Sequence, residues 1–478
     1  MKKIFIFFIS SSVLATTTNV GRSRFGTSAT YKGGNLAQAN IQPVGATKNT
    51  VVTLTSGTYQ LAEDITFIAA VVGEVIYDIT ESNVVLDLNQ KKIMAGDSSA
   101  VNLTAININS DLRDITIRNG KISNIPGKAI LVASGCKNIT LENLIIEDCD
   151  YGGIDITSST EIELNNIYSA HHQAPTSSEV FGLKLTSCEN IITTSSVFSS
   201  CGTSGKIGIG ISATSSTNCI FRDCLFSSNT GTSAYGVRLT SCVGAHFTDC
   251  DTRNNKATTG TGAGFYFDSC TDCKISTCQS LSNQATSTGD GYGFYSTGGT
   301  ANIFDTCMGN GNLASTGTAS GIALDSSEKL STISNGTFNG NRVSDAGQVY
   351  GVRLASSGVS INKCIVESCT IENNYADTEG ATLVGLRDFS ENCTTMIRGN
   401  ILALNGDSRI EIGSAPKFTI SDTNMTITSS GTGGLNILFN FTDSQNPMDM
   451  LVETDISNWQ TLSTREPHWS NILIVTGV

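Results

Sequence analysis

Gly236-Val237-Arg238-Leu239, Gly264-Phe265-Tyr266-Phe267 and Gly293-Phe294-Tyr295-Ser296 are copies of one short pattern. A small residue is followed by two apolar positions that flank one residue of free choice. Alternation with period two marks a strand that buries one face. The pattern recurs in both directions from these copies. Upstream it reads Gly210 (GISA), Gly182 (GLKL), Gly153 (GIDI), Ala129 (AILV), Ala105 (AINI) and a degraded start at Glu74 (EVIY). Downstream it reads Gly321 (GIAL), Gly351 (GVRL) and Gly385 (GLRD). Successive starts lie 24 to 34 residues apart. A unit of that size cannot bury its own apolar face, so neighbouring units must stack.

A second strand follows each copy. Its first inward residue usually falls nine after the Gly, as at Ile191, Cys219, Ala245 and Cys273. Ten residues further a polar residue recurs: Asn229, Asn255, Asn283, Asn312 and Asn374, with Cys149 and Cys201 in that place earlier. Asn in register on stacked turns can donate and accept along the stack, forming a ladder. Three short strands per unit predict an all-β fold, a right-handed parallel β-helix of about 12 rungs spaced about 4.8 Å apart. Residues 16–70 are expected to cap its start and 71–400 to form the helix. Residues 401–478, which carry Trp459 and Trp469, are expected to form a less regular C-terminal β cap or small domain.

Composition agrees. The 478 residues include 47 Gly and only 6 Pro, and charged residues are 15%. A net charge of -13 offers no basic footprint for phosphate, so a nucleic-acid partner is not expected. Residues 1–15 read as a secretory signal: Lys2 and Lys3, then the apolar run Ile4 to Leu14, then small residues at Val13 and Ala15. The run is too short to remain as a membrane span. A secreted, periplasmic or cell-surface location is expected, with no transmembrane anchor after signal cleavage.

The stretches YQLAEDITF from Tyr59, ITESNVVLDLNQKKIMAG from Ile79 and INSDLRDITIRNGKISN from Ile108 resemble the opening of secreted right-handed β-helix repeat proteins of the pectate-lyase-like superfamily. The likeness covers about 60 to 400. It implies the fold, and it implies a group holding polysaccharide lyases, hydrolases and epimerases. Lyases of that group use a Lys or Arg base and acidic ligands for Ca²⁺ on an outer sheet face. The group's arginine- and proline-bearing, paired-Asp, Gly-His-Gly and Asp-Pro-His signatures do not occur here, and a shared fold does not carry an activity.

The residue two after each motif Gly should point outward and form a row: Asp155, Lys184, Ser212, Arg238, Tyr266, Tyr295, Ala323, Arg353, Arg387. Basic and aromatic groups on one strip suit an acidic polysaccharide, with Lys184, Arg238, Tyr266, Tyr295 and Arg353 as ligand-binding candidates. The competing reading is a set of cross-rung pairs that stabilise the sheet. The loop SAHHQAPTSSEVF places His171 near Asp155, Glu179 and Lys184, the candidates for acid–base work were the protein an enzyme. His171 and His172 should point opposite ways, so no metal site is expected. No cofactor is expected, except Ca²⁺ for a lyase.

All 15 cysteines lie between Cys136 and Cys393. Cys224, Cys250, Cys278, Cys307 and Cys369 share one place in the repeat, Cys219, Cys273 and Cys364 a second, and Cys188, Cys242 and Cys270 a third. Side chains in register point the same way, which favours buried free thiols over strained disulfides between rungs. The sequence thus predicts a secreted or surface β-helix for adhesion or glycan binding, non-catalytic, with a carbohydrate-active enzyme on acidic polysaccharide as the alternative.

Overall fold

A computed structural model of the chain describes residues 51–398 except 69–72, 97–101, 175–178, 327, 355–363, 378–380 and 389–393. It also describes the strand segments 39–41, 401–404, 409–412, 417–420, 426–429, 436–439, 450–454 and 472–476. The expected signal at 1–15 and both Trp lie outside these residues.

The fold is an all-β parallel solenoid. One sheet has fifteen strands, running from Val52–Leu54 to Asn436–Phe439. Each of its strands pairs in parallel with the equivalent strand of the next rung, as Ala234–Thr240 does with Gly262–Asp268. All twelve motif starts fall on or beside strands of this sheet. One register differs from the sequence reading. Ile76, not Glu74, stands opposite Ala105, because Tyr77 pairs with Ile106 and Asp78 with Asn107. The pattern there is IYDI, with an apolar residue in the small position.

Opposite this sheet lies a 22-stranded network. Three of its strands are long: Arg113–Ile125, Lys137–Cys149 and Thr160–Ala170. After Ala170 each rung breaks into two short strands, such as Ile220–Arg222 and Leu225–Ser227. A six-stranded sheet from Thr230–Gly231 to Tyr375–Ala376 supplies a further side. Residues 52–67, placed in the expected cap, already pair in parallel with the next rung through Val52–Leu54, Gly57–Leu61 and Ile65–Phe67.

The corners explain the repeat-locked residues. Asp223, Asp249, Thr277, Thr306 and Ser368 adopt φ of 52–54°. A single left-handed residue turns the strand sharply, and short polar side chains tolerate that conformation best. The next residue then points into a tight inner corner. In these rungs it is Cys224, Cys250, Cys278, Cys307 and Cys369, all buried free thiols. Each thiol can donate to the carbonyl two residues back, at 3.2 Å for Cys224 and Arg222 and 3.3 Å for Cys250 and Thr248. The fourteen described cysteines are all free and buried, as the stacking argument requires.

The asparagine ladder is present and longer than expected. Nδ2 of Asn229 donates to Oδ1 of Asn255 at 2.8 Å, and the relay continues through Asn283, Asn312, Asn341 and Asn374 at 2.8–3.1 Å. Each Oδ1 also accepts the backbone N–H of the preceding rung. His172 holds the same place two rungs before Asn229. Its Nδ1 accepts from the Cys149 N–H at 3.2 Å, and its Nε2 lies 2.8 Å from Ser169 Oγ. The motif glycines are enforced by crowding at this inner corner. A Cβ on Gly210 would sit 2.5 Å from the Gly236 carbonyl oxygen and 3.2 Å from Asn229 Nδ2.

Candidate functional site

The register of the fifteen-stranded sheet aligns the expected row. Asp155, Lys184, Ser212, Arg238, Tyr266, Tyr295, Ala323, Arg353 and Arg387 are consecutive cross-rung partners. The described side chains of the row are held as follows. Asp155 is nearly buried and ion-paired with Lys128 at 2.6 Å. Lys184 Nζ lies 5.5 Å from the centre of the Phe181 ring, and no ion pair joins it to a carboxylate among the described residues. Arg238 reaches back two rungs to Glu179, Nη1 to Oε1 at 2.8 Å, and lies 5.7 Å from the Tyr235 ring centre. Arg353 is bound to the buried Asp325 at 2.6 Å and lies 5.7 Å from the Tyr292 ring centre.

Tyr266 and Tyr295 stack at 5.0 Å between ring centres with their planes 19° apart. Each covers a face of the other, while Tyr235 meets Tyr266 edgewise at 5.1 Å and Tyr292 leans on Tyr295 at 4.7 Å. The stack therefore leaves ring edges and phenol hydroxyls, and not the two apposed faces, uncovered. Burial pushes the Tyr266 phenol up to about 12, and the neighbouring Tyr235 and Asp268 add to the shift. Tyr295 is raised as well, by burial first and then by the Asp325 carboxylate, which its hydroxyl approaches at 3.4 Å. Both phenols stay protonated at neutral pH and act as donors.

A second row went unread in the sequence. Phe181, Ile209, Tyr235, Ala263, Tyr292, Ser320 and Tyr350 sit just before the motif Gly and are in register. Phe181, Ile209, Tyr235, Ala263 and Tyr292 of this row, with Ala323, Tyr266 and Tyr295, build an apolar cluster outside the main core. The aromatic residues at Phe181, Tyr235, Tyr292 and Tyr350 were the available signal. A flanking row of hydroxyls, Thr186, Thr214, Thr240 and Thr297, runs along the other margin, interrupted by Asp268.

The residues considered for acid–base work do not all converge. Asp155 and Lys184 are cross-rung neighbours, and Glu179 lies on the Lys184 strand with its carboxylate on Arg238. His171 lines a separate pocket of about 600 Å³ with Asn124, Pro126, Asp148, Asp150 and Gln173. The adjacent histidines do point opposite ways. His172 is fully buried, and burial drives its pKa down to about 3, with His171 adding to the shift. Among the described residues no group of three or more His, Cys, Asp or Glu is arranged to hold a metal ion.

Residues 104–279 match the family model described as the right handed beta helix region. The chain is a right-handed parallel β-helix. No curated protein matches it. Among solved structures it is similar to PfbA, a surface adhesin of Streptococcus pneumoniae, with 15% identity over 82% of this chain and 89% of that one, TM-score 0.42. It is also similar to the periplasmic alginate epimerase AlgG, with 11% identity over 81% and 85% of the two chains, TM-score 0.45. A third is the Dettilon tailspike protein, with 12% identity over 64% and 60%, TM-score 0.41. These likenesses concern the fold. Among the described residues no helix is long and apolar enough to cross a membrane.

Proposed function

We propose that the protein is a secreted or surface-exposed β-helix that binds acidic glycans along its outer strip, without catalysis. The observation that carries this reading is the register-locked row from Lys184 to Arg353. It presents three cations around a stacked tyrosine pair on one face of an acidic chain. Lys184, over the Phe181 ring and in no ion pair among the described residues, is the cation best placed to take a ligand carboxylate. Arg238, already held by Glu179, offers fixed N–H groups to neutral sugar oxygens, while Arg353, its side chain 12% exposed and bound to Asp325, supplies charge from beneath the strip. The phenols, kept protonated by burial, suit hydrogen-bond donation and are poor bases for proton abstraction. Export by residues 1–15 would bring the strip to such polymers, and a surface adhesin and a periplasmic epimerase share the solenoid architecture.

The test is a panel of uronate polysaccharides offered with and without Ca²⁺. Retention on immobilised uronates is expected, weakened about tenfold in Lys184→Ala and less in Arg238→Ala. Unsaturated product absorbing in the ultraviolet, or new reducing ends, would overturn the non-catalytic reading in favour of a carbohydrate-active enzyme. Absence of retention on every polymer of the panel would overturn glycan binding.

A further inference from the structure

The buried thiols form rows that neither the strip nor the fold requires to be cysteine. Backbone pairing places Cys224, Cys250, Cys278 and Cys307 on four consecutive rungs at one inner corner: Asp251 N–H bonds to the Cys224 carbonyl, Gln279 N–H to Cys250 and Met308 N–H to Cys278. Ser196 precedes the row, and Gly336 separates it from Cys369. Cys242 and Cys270 are likewise neighbours at a second corner, through the Thr271 N–H on the Cys242 carbonyl. Serine serves at equivalent corners, where Ser216 Oγ accepts the Cys188 N–H at 3.1 Å. The corner therefore does not itself select sulfur.

We propose that these rows bind soft monovalent metal ions, Cu(I) or Ag(I), each held in line between two cysteine sulfurs of neighbouring rungs. Rungs repeat at about 4.8 Å. Two metal–sulfur bonds of about 2.3 Å placed end to end span about 4.6 Å, so the ion fits between in-register sulfurs with little movement. Thiolate ligands select such ions, whereas zinc requires four donors that the described residues do not bring together. Charge also balances. One S–H bond breaks, its proton leaves to water, and two S–metal bonds form, giving a neutral thiolate–metal–thiol unit with no change of oxidation state. A neutral unit avoids the cost of an unpaired charge among Phe221, Phe226, Phe247 and Phe265. Those rings also keep water from the ion. Entry requires a rung to open, a local event in a stacked repeat.

The test uses the reduced full chain under anaerobic conditions, titrated with Cu(I) supplied as its complex with a coloured chelator. Transfer to the folded chain is expected, with X-ray absorption reporting two sulfur neighbours per copper. Cys250→Ser leaves Cys278 and Cys307 as the one intact pair of its row, and Cys270→Ser removes the pair with Cys242, so each should lower bound copper by about one ion per chain. Cys136→Ser, outside the rows, should change nothing. No transfer to the folded chain, three or more donors per copper, or uptake unaltered in both row variants would overturn the proposal. The absorption measurement on the unaltered chain decides even if a variant fails to fold.

Discussion

The rungs before Ala170 and those after it follow the same coil with different interiors. From Arg113 to Ala170, strands of eleven to thirteen residues run through the corner on a left-handed Asn119, Asn143 or Asn166, and the core there is mostly Ile and Leu, as at Ile115, Ile117, Ile139, Leu141, Ile162 and Leu164. Downstream, the strands stop on either side of the same left-handed corner, and Phe and Cys fill the space. Phe221 stacks on Phe247 at 4.6 Å and Phe265 on Phe294 at 5.1 Å. The outer row changes at the same boundary, from Asp78, Asn107, Leu131 and Asp155 to Lys184, Arg238, Tyr266 and Tyr295. Aliphatic rungs pack by shape alone. Aromatic rungs pack by ring geometry and need small residues at the corners to admit the rings. The distinctive outer face rides on the second kind.

The largest expected effect concerns the interior. Phe247→Ala removes a ring that meets Phe221, Phe226, Phe265 and Phe267, and should cost about 3–5 kcal/mol. Ile139→Val upstream should cost only about 0.5–1.5 kcal/mol. Comparable losses in urea unfolding would erase the distinction between the two regions.

Next is the pH dependence of the joint between them, where His172 sits. Its folded pKa of about 3 lies below the ordinary value of about 6.5, so the unfolded chain binds the proton first. Stability contributed by the neutral ring is complete above about pH 6.5 and falls by roughly 1.4 kcal/mol per unit toward pH 3. His172→Asn, which restores the ladder residue, should flatten that slope in thermal melts between these limits. An unchanged slope would show that protonation elsewhere governs acid unfolding.

Asn283→Leu is expected to cost about 1–3 kcal/mol, because it strands the Asn255 amide and backbone N–H without their acceptor. Hydrogen exchange should accelerate at rungs 255 and 283 before any other part of the chain. The smallest effect belongs to the outer row: Lys184→Ala should weaken acidic-glycan retention about tenfold while leaving the melting temperature within error. Asp155→Asn, on the upstream side of the boundary, should leave retention intact.

Much of this was legible in the sequence because a solenoid turns spacing into contact. Offsets of nine and ten residues placed most of the asparagine ladder, and the outer row followed from the motif alone. The omissions have particular causes. Asn341 escaped because the rung after Gly321 holds one extra residue before Ser331, which moves the count. His172 satisfies the ten-residue offset from Ile162, yet its type suggested a surface loop. Only its Cys149 and Ser169 partners reveal an asparagine substitute. The degraded start slipped by two, from Ile76 to Glu74, because period two is blind to such a shift. Ion pairs such as Arg238 with Glu179 skip a rung and leave no trace in a repeat pattern.

The asparagine relay also has a direction. Every amide nitrogen points toward the C-terminal neighbour and every amide oxygen toward the N-terminal one, until Asn374 turns its Nδ2 to the Phe338 carbonyl. Removing rungs from the two ends is therefore not equivalent. A cut on the N-terminal side exposes an oxygen, which tolerates being unpaired, whereas a cut on the C-terminal side leaves both an amide and a backbone N–H without an acceptor. The helix can be shortened from its start more cheaply than from its finish, so gain and loss of repeats over evolutionary time should be concentrated toward its N-terminal half.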